Sequence, residues 1–174
     1  MSSRDEEFSE YVRGAYPRLV RTAYLLCGNG AQAEDLVQDA LARTYLAWPR
    51  IKDKGAIDAY VRRAVVNQTT SWWRRPARRE RFVDPPERLA PDAGELGVVN
   101  RSALLPALRA LSPGQRAAVV LRYVEDLTEA QTAQALGVSV GTVKSQTSRA
   151  LAALRVTLGA DLNSAGSLDL GGER

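Results

Sequence analysis

The sequence predicts an all-α fold of two small helical domains, and three observations carry that prediction. Apolar residues recur at three- and four-residue spacing almost throughout, and strand-like alternation is weak. One stretch, "DPPERLAPDAGELG", is rich in proline and acid and has no periodicity, so it reads as a linker. A length of 174 residues holds one ordinary domain or two small ones. The expected divisions are 1–81, a flexible acidic linker at 82–99, a second domain at 100–158 and a flexible tail at 159–174.

The elements follow in order. "YPRLVRTAYLLCG" reads as an amphipathic helix with Gly28 at its end. In "AEDLVQDALARTYLAW", Leu36, Val37, Ala40, Leu41, Tyr45 and Trp48 share one side, and Glu34, Gln38, Asp39 and Arg43 the other. Asn29 and Gln32 suit its start, and Pro49 stops it. After the polar loop "IKDKG", a long helix is expected from about Asp58 toward Arg75, where Pro76 interrupts it. Beyond the linker, Ser112, Pro113 and Gln115 form an N-cap, a first-turn proline and a capping-box partner. A further helix starts at Thr128, with Gln131 three residues on, and stops at Gly137. Another runs from Ser139 through Leu154. The final "DLNSAGSLDLGGER" looks like a frayed tail.

Composition excludes several classes of function. The chain has no histidine and one cysteine, Cys27, which removes Ser-His-Asp and Cys-His catalysis, nearly every zinc site and any intrachain disulfide. No catalysis and no cofactor or metal are therefore expected. The start "MSSRDEEFSEYV" lacks the apolar core of a signal peptide, and no apolar run approaches the roughly 18 residues of a membrane span. A cytoplasmic protein is expected. Charge is laid out in blocks: fifteen basic against ten acidic residues in 1–81, one against four in 82–99, seven against three in 100–158, and one against three in 159–174. Two basic blocks around an acidic segment suit a polyanionic partner.

Two stretches carry the candidate chemistry. In "AQALGVSVGTVK", Ala133, Gly137 and Val143 have helix-turn-helix spacing: a small residue for close approach, a glycine for the bend and an apolar anchor. Val140, Ala150 and Leu154 would extend the buried stripe. Thr142, Lys144, Ser145, Ser148 and Arg149 would face outward near the helix start, where a recognition helix meets bases and phosphates. The same pattern also suits a three-helix packing unit with a solvated face. The second stretch is "NQTTSWWRRPARRER". Trp72 follows Val61 and Val65 at core spacing. Trp73 shares a side with Thr69, Val66 and Arg62, where an indole is harder to bury in a small domain. Arginines with an aromatic ring can track a backbone and stack an unpaired base. A core Trp pair beside a basic helix end is the other reading.

Taken together, these segments resemble an RNA polymerase sigma factor of the extracytoplasmic-function type, near its SigE-like branch. The resemblance spans about residues 8–158. "YPRLVRTAYLLCG" and "AEDLVQDALARTYLAW" are similar to the core-binding regions of sigma domain 2. "AYVRRAVVNQTTSWWRR" is similar to its −10 recognition and melting part, and "SPGQRAAVVLRYVEDLT…LGVSVGTVKS" to domain 4, which binds the −35 element. The resemblance implies partners: core RNA polymerase, through its β′ clamp helices and β subunit, promoter DNA, and room for an anti-sigma factor. It implies core binding by Glu34, Asp35, Gln38 and Asp39, whose acidic pair also suits a helix N-terminus on its own account. It implies −10 binding and melting by Trp48, Arg62, Arg63, Asn67, Trp72, Trp73, Arg74 and Arg75. For the −35 element it implies Ser139, Gly141, Thr142, Lys144, Ser145, Ser148 and Arg149.

Related recognition helices read "VKSRLSRAR", so Gln146 and Thr147 depart from the pattern here and leave promoter preference open. A stand-alone helix-turn-helix regulator is the alternative, though residues 1–81 lack the strand pattern of a sensory domain. A carboxylate-dependent enzyme built on Glu34, Asp35 and Asp39 lacks a second acidic cluster to complete it.

Overall fold

Seven α-helices and two short 3-10 turns account for nearly all of residues 3–51, 53–73 and 98–166, which the computed structural model describes. The helices are α1 (Ser3–Cys27), α2 (Gly30–Ala47), α3 (Ile57–Trp73), α4 (Val98–Ala110), α5 (Pro113–Tyr123), α6 (Glu129–Leu136) and α7 (Val140–Gly166). Helices α1–α3 form an N-terminal lobe and α4–α7 a C-terminal lobe. No strand occurs among the described residues. Most of the acidic segment lies outside them.

Local chemistry sets most helix ends where the sequence placed them. The Asn29 side chain accepts from the Gln32 backbone N–H at 2.9 Å and opens α2. Complete capping boxes, Ser112 with Gln115 and Thr128 with Gln131, open α5 and α6. Gly137 closes α6 at φ +67°, a left-handed conformation that costs glycine little. Pro49 ends α2 in a 3-10 turn over Trp48–Arg50.

Two helices are longer than the pattern suggested. Helix α1 begins at Ser3 and passes through Pro17, which is exposed on the solvent side, as is Arg13, whose carbonyl loses its usual partner. Water can satisfy that carbonyl, while Phe8, Tyr11 and Val12 hold the first turns against the core. Helix α7 runs on to Gly166.

The N-terminal core packs Leu19, Val20 and Ala23 of α1 against Val37, Ala40 and Leu41 of α2 and Val61 and Val65 of α3. Trp48 closes one end, 3% exposed, with Phe8 edge-on at 5.1 Å and Tyr11 at 5.9 Å. Such ring pairs contribute about 0.5–1.5 kcal/mol beyond the area they bury. Cys27 lies in this core; burial pushes its thiol up to about 11, so it stays protonated and unreactive at neutral pH.

The second core crosses between the lobes. Leu25 and Leu26 of α1 and Val66 of α3 join Leu108, Leu111, Val120, Leu121 and Leu154 in one cluster. Polar contacts flank it. The Arg116 guanidinium, on a residue 2% exposed, donates to four carbonyls: Leu26 across the lobe boundary at 3.0 Å, and Leu108, Arg109 and Leu111 within its own lobe. Arg109 reaches the Gly28 carbonyl. Both arginines thereby cover carbonyls at the C-terminal end of α1, where the helix dipole is negative. Burial lowers the Arg116 pKa to about 10, still charged at neutral pH.

Candidate nucleic-acid interface

The helix-turn-helix assembles around a small set of buried residues. Ala133 and Val143 are buried, and Ala150 and Leu154 continue the stripe along α7. Val140 does not: it is 40% exposed. It occupies the first position of α7, where the chain has only just left the turn after α6, and it projects beyond the packed stripe. The N-terminus of α7 is held by Ser139, whose hydroxyl accepts from the Thr142 backbone N–H at 3.1 Å and meets the Thr142 hydroxyl at 2.9 Å.

Ser139, Gly141, Thr142, Lys144, Ser145, Ser148 and Arg149 are all exposed, over about three turns of chain. This face presents hydroxyls and two cations beside a helix N-terminus, a combination suited to phosphates and base edges. Lys144 approaches Glu129 of α6 at 3.7 Å, with both side chains well exposed. A pair of that kind contributes little, so the ammonium is readily released to a stronger anion. Gln146 and Thr147 are half-buried instead. Gln146 lies against Gly114, lines a cavity of about 170 Å³ between the lobes and has a buried amide oxygen. Position 146 therefore faces the lobe boundary in this arrangement, and the missing arginine there takes nothing from the exposed face.

In the N-terminal lobe, Glu34, Asp35, Gln38 and Asp39 lie together on the exposed side of α2, with Gln38 donating to the Tyr16 hydroxyl at 3.3 Å. Leu46 extends the same side and is 76% exposed. Sequence reading passed over it, although a leucine seven and eight residues after Asp39 and Gln38, on the polar stripe, was a usable signal.

The expected −10 set is divided by the structure. Trp48 is withdrawn: as the end of the N-terminal core it is not available to a base, because the first two turns of α1 cover it. Arg63 and Asn67 are exposed on α3. Arg62 is half-buried and pairs with Glu125 of the other lobe at 3.0 Å. The face of α3 expected to resist burial, with Val66 and Thr69, is 1% and 4% exposed. It packs against the C-terminal lobe, a neighbour the reading of one small domain left out. Trp72 and Trp73 fall in the last turn of α3, and their side chains, like Arg74 and Arg75, lie outside what the structure describes.

One charged network remains, running through Asp58. The Tyr11 hydroxyl donates to Asp58 at 3.0 Å, and burial together with that carboxylate raises its pKa. Arg18 bridges Asp58 at 2.9 Å and Glu125 at 3.2 Å. Among the described residues no group of histidine, cysteine, aspartate and glutamate could hold a metal, and no helix is long and apolar enough to cross a membrane.

A capped helix-turn-helix with a free polar recognition face, joined to a second helical lobe, defines a DNA-binding protein. Known proteins narrow the class. The family model for Sigma-70 region 2 matches residues 11–79 and that for Sigma-70, region 4 matches residues 101–154. The chain is 46% identical over 153 residues to the RNA polymerase sigma-E factor of Streptomyces coelicolor, covering 87% of this chain and 86% of that one. It is 33% identical over 153 residues to the ECF RNA polymerase sigma factor SigM of Mycobacterium tuberculosis, covering 87% and 77%. Among solved structures it resembles the sigma factor RpoE from Bartonella quintana, in complex with the anti-sigma factor NepR. There the TM-score is 0.73 at 26% identity, covering 90% of this chain and 99% of that one. The chain belongs to the Sigma-70 family of RNA polymerase sigma factors, in its extracytoplasmic-function group.

Proposed function

We propose that this sigma factor directs core RNA polymerase to specific promoters by dividing the work between its lobes, without chemistry of its own and within the cytoplasm. Residues 1–81 bind core and open the −10 element, residues 82–99 link the lobes, and residues 100–158 read the −35 element ahead of the tail at 159–174. The observation that carries this reading is the pairing of two exposed polar faces, one on α2 and one at the start of α7, in lobes that match different regions of one family.

Glu34, Asp35, Gln38 and Asp39 meet the β′ clamp helices, with Leu46 supplying an apolar contact at the end of that face. Arg62 and Arg63 hold phosphates of the −10 region, Asn67 makes a polar contact to an exposed base, and Trp72 and Trp73 with Arg74 and Arg75 stabilise the parted strands. Ser139, Gly141, Thr142, Lys144, Ser145, Ser148 and Arg149 form the −35 contact. An anti-sigma factor, present with the Bartonella relative, is a further partner in this reading.

Run-off transcription with purified core polymerase tests the proposal: start sites should appear only with the protein present. Tight binding of duplex promoter DNA without core would favour a stand-alone regulator instead. Lys144→Ala and Arg149→Ala should each weaken −35 binding by the holoenzyme and lower the salt dependence of log K by about 0.9 for each phosphate no longer neutralised. Binding measured over a salt series checks this, and an unchanged slope removes that residue from the phosphate set.

A further inference from the structure

The cavity of about 170 Å³ lies where α3 faces α5, α6 and α7. Val66, Ala117, Leu136 and Val143 give it a mainly aliphatic wall, and none of the described side chains lining it is charged. Thr69 and Thr70 add little polarity, because their hydroxyls donate to the Val65 and Val66 carbonyls at 2.8 and 2.7 Å. One polar atom is left over. Gln146 lines the same space, and its Oε1 is buried with no hydrogen-bond partner among the described residues. A buried amide oxygen that accepts nothing carries its desolvation cost unrelieved. Val138 and Thr142 also line the cavity and are exposed, so it opens to solvent beside the start of α7.

We propose that this cavity is a binding site for a neutral, ring-sized apolar molecule carrying a single O–H or N–H donor, of which phenol is the simplest. Size, polarity and access each select that class. An aliphatic cavity of about 150 Å³ stays dry and takes up benzene, so the space here suits a single ring. The uncharged wall excludes ions, whose desolvation nothing in the cavity would offset. A buried acceptor without a donor selects a ligand that supplies the proton, and that hydrogen bond fixes how the ring sits. The exposed side gives the ligand a way in. Gln146 stands where related recognition helices carry arginine, so the neutral acceptor is a property of this chain. The site is separate from promoter reading, because Gln146 is turned away from the exposed face of α7.

Phenol and toluene match in size and differ in the donor, which makes them a pair of probes. Amide NMR titration of the full chain reads the affinity for each and locates the site, while melting curves confirm folding. Phenol should bind saturably, with the largest shifts around Thr70, Ala117 and Gln146. Gln146→Leu removes the acceptor and keeps an apolar wall. The ratio of phenol to toluene affinity should then fall about tenfold, a comparison in which the different hydration of the two ligands cancels. Ala117→Leu and Thr70→Leu fill the cavity from opposite walls, and each should weaken both ligands at least about tenfold. Absence of saturable phenol binding overturns the site and leaves the space to water. Binding that survives both filling substitutions lies elsewhere and overturns it equally. A ratio unchanged in Gln146→Leu overturns the donor requirement and with it the ligand class. That comparison decides the matter even where a filled chain fails to fold.

Discussion

Arg116→Ala is expected to destabilise the protein by about 3–5 kcal/mol, because it strips a buried cation from a group of buried carbonyls. The four acceptors, Leu26, Leu108, Arg109 and Leu111, come from the ends of two helices in two lobes. Alanine takes a donor from each, although the Leu108 carbonyl keeps the Leu111 N–H at 3.2 Å, and leaves a void where the guanidinium lay. Differential scanning calorimetry should show a melting temperature lower by on the order of 10 °C. Arg116→Lys should recover only part of the loss, since an ammonium cannot reach acceptors arrayed around a planar five-donor group. The pH dependence has a definite sign. Burial depresses the folded-state pKa well below the usual guanidinium value, to about 10, so the unfolded chain binds more protons from there upward. Stability carried by this group therefore rises with pH across that alkaline window, and it is flat near neutrality. A melting temperature unchanged in Arg116→Ala would show that the carbonyls find other donors.

Trp73→Ala is expected to reduce open-complex formation roughly tenfold to a hundredfold while core binding stays intact. Extruding a base costs a few kcal/mol, and stacking on an aromatic ring offsets about 1–3 kcal/mol of it. Removing the ring removes that offset only after the strands part. Permanganate reactivity of thymines in the −10 region reads melting, and co-purification with core polymerase reads binding. Unchanged thymine reactivity would remove Trp73 from the melting surface. A parallel loss of core binding would instead point to a damaged α3.

How far the sequence reached depended on the range of the interaction. Asn29, Ser112, Thr128 and Gly137 act within three or four residues of themselves, and the helix ends they set lie where the pattern placed them. The stripe of Val143, Ala150 and Leu154 along α7 is equally local, since periodicity alone puts these residues on one side. Pro17 shows the limit. Its local preference marks a helix boundary, yet α1 continues through it, because Phe8 and Tyr11 gain more by packing on Trp48 than one backbone hydrogen bond supplies. Trp48 failed as an interface residue for the same reason, being covered by a segment forty residues earlier in the chain.

Periodicity, caps and charge blocks were thus sufficient for two helical lobes, a helix-turn-helix and exposed polar faces on α2 and α7, because each follows from residues close together along the chain. The burial of Val66 and Thr69, the four-carbonyl cage of Arg116 and the seat of Glu125 between Arg18 and Arg62 belong to tertiary structure alone. Their partners lie 63 to 107 residues apart in the ion pairs and 90 in the Arg116–Leu26 contact. No spacing rule reaches across such separations; only the docking of one lobe on the other brings those charges within hydrogen-bond range.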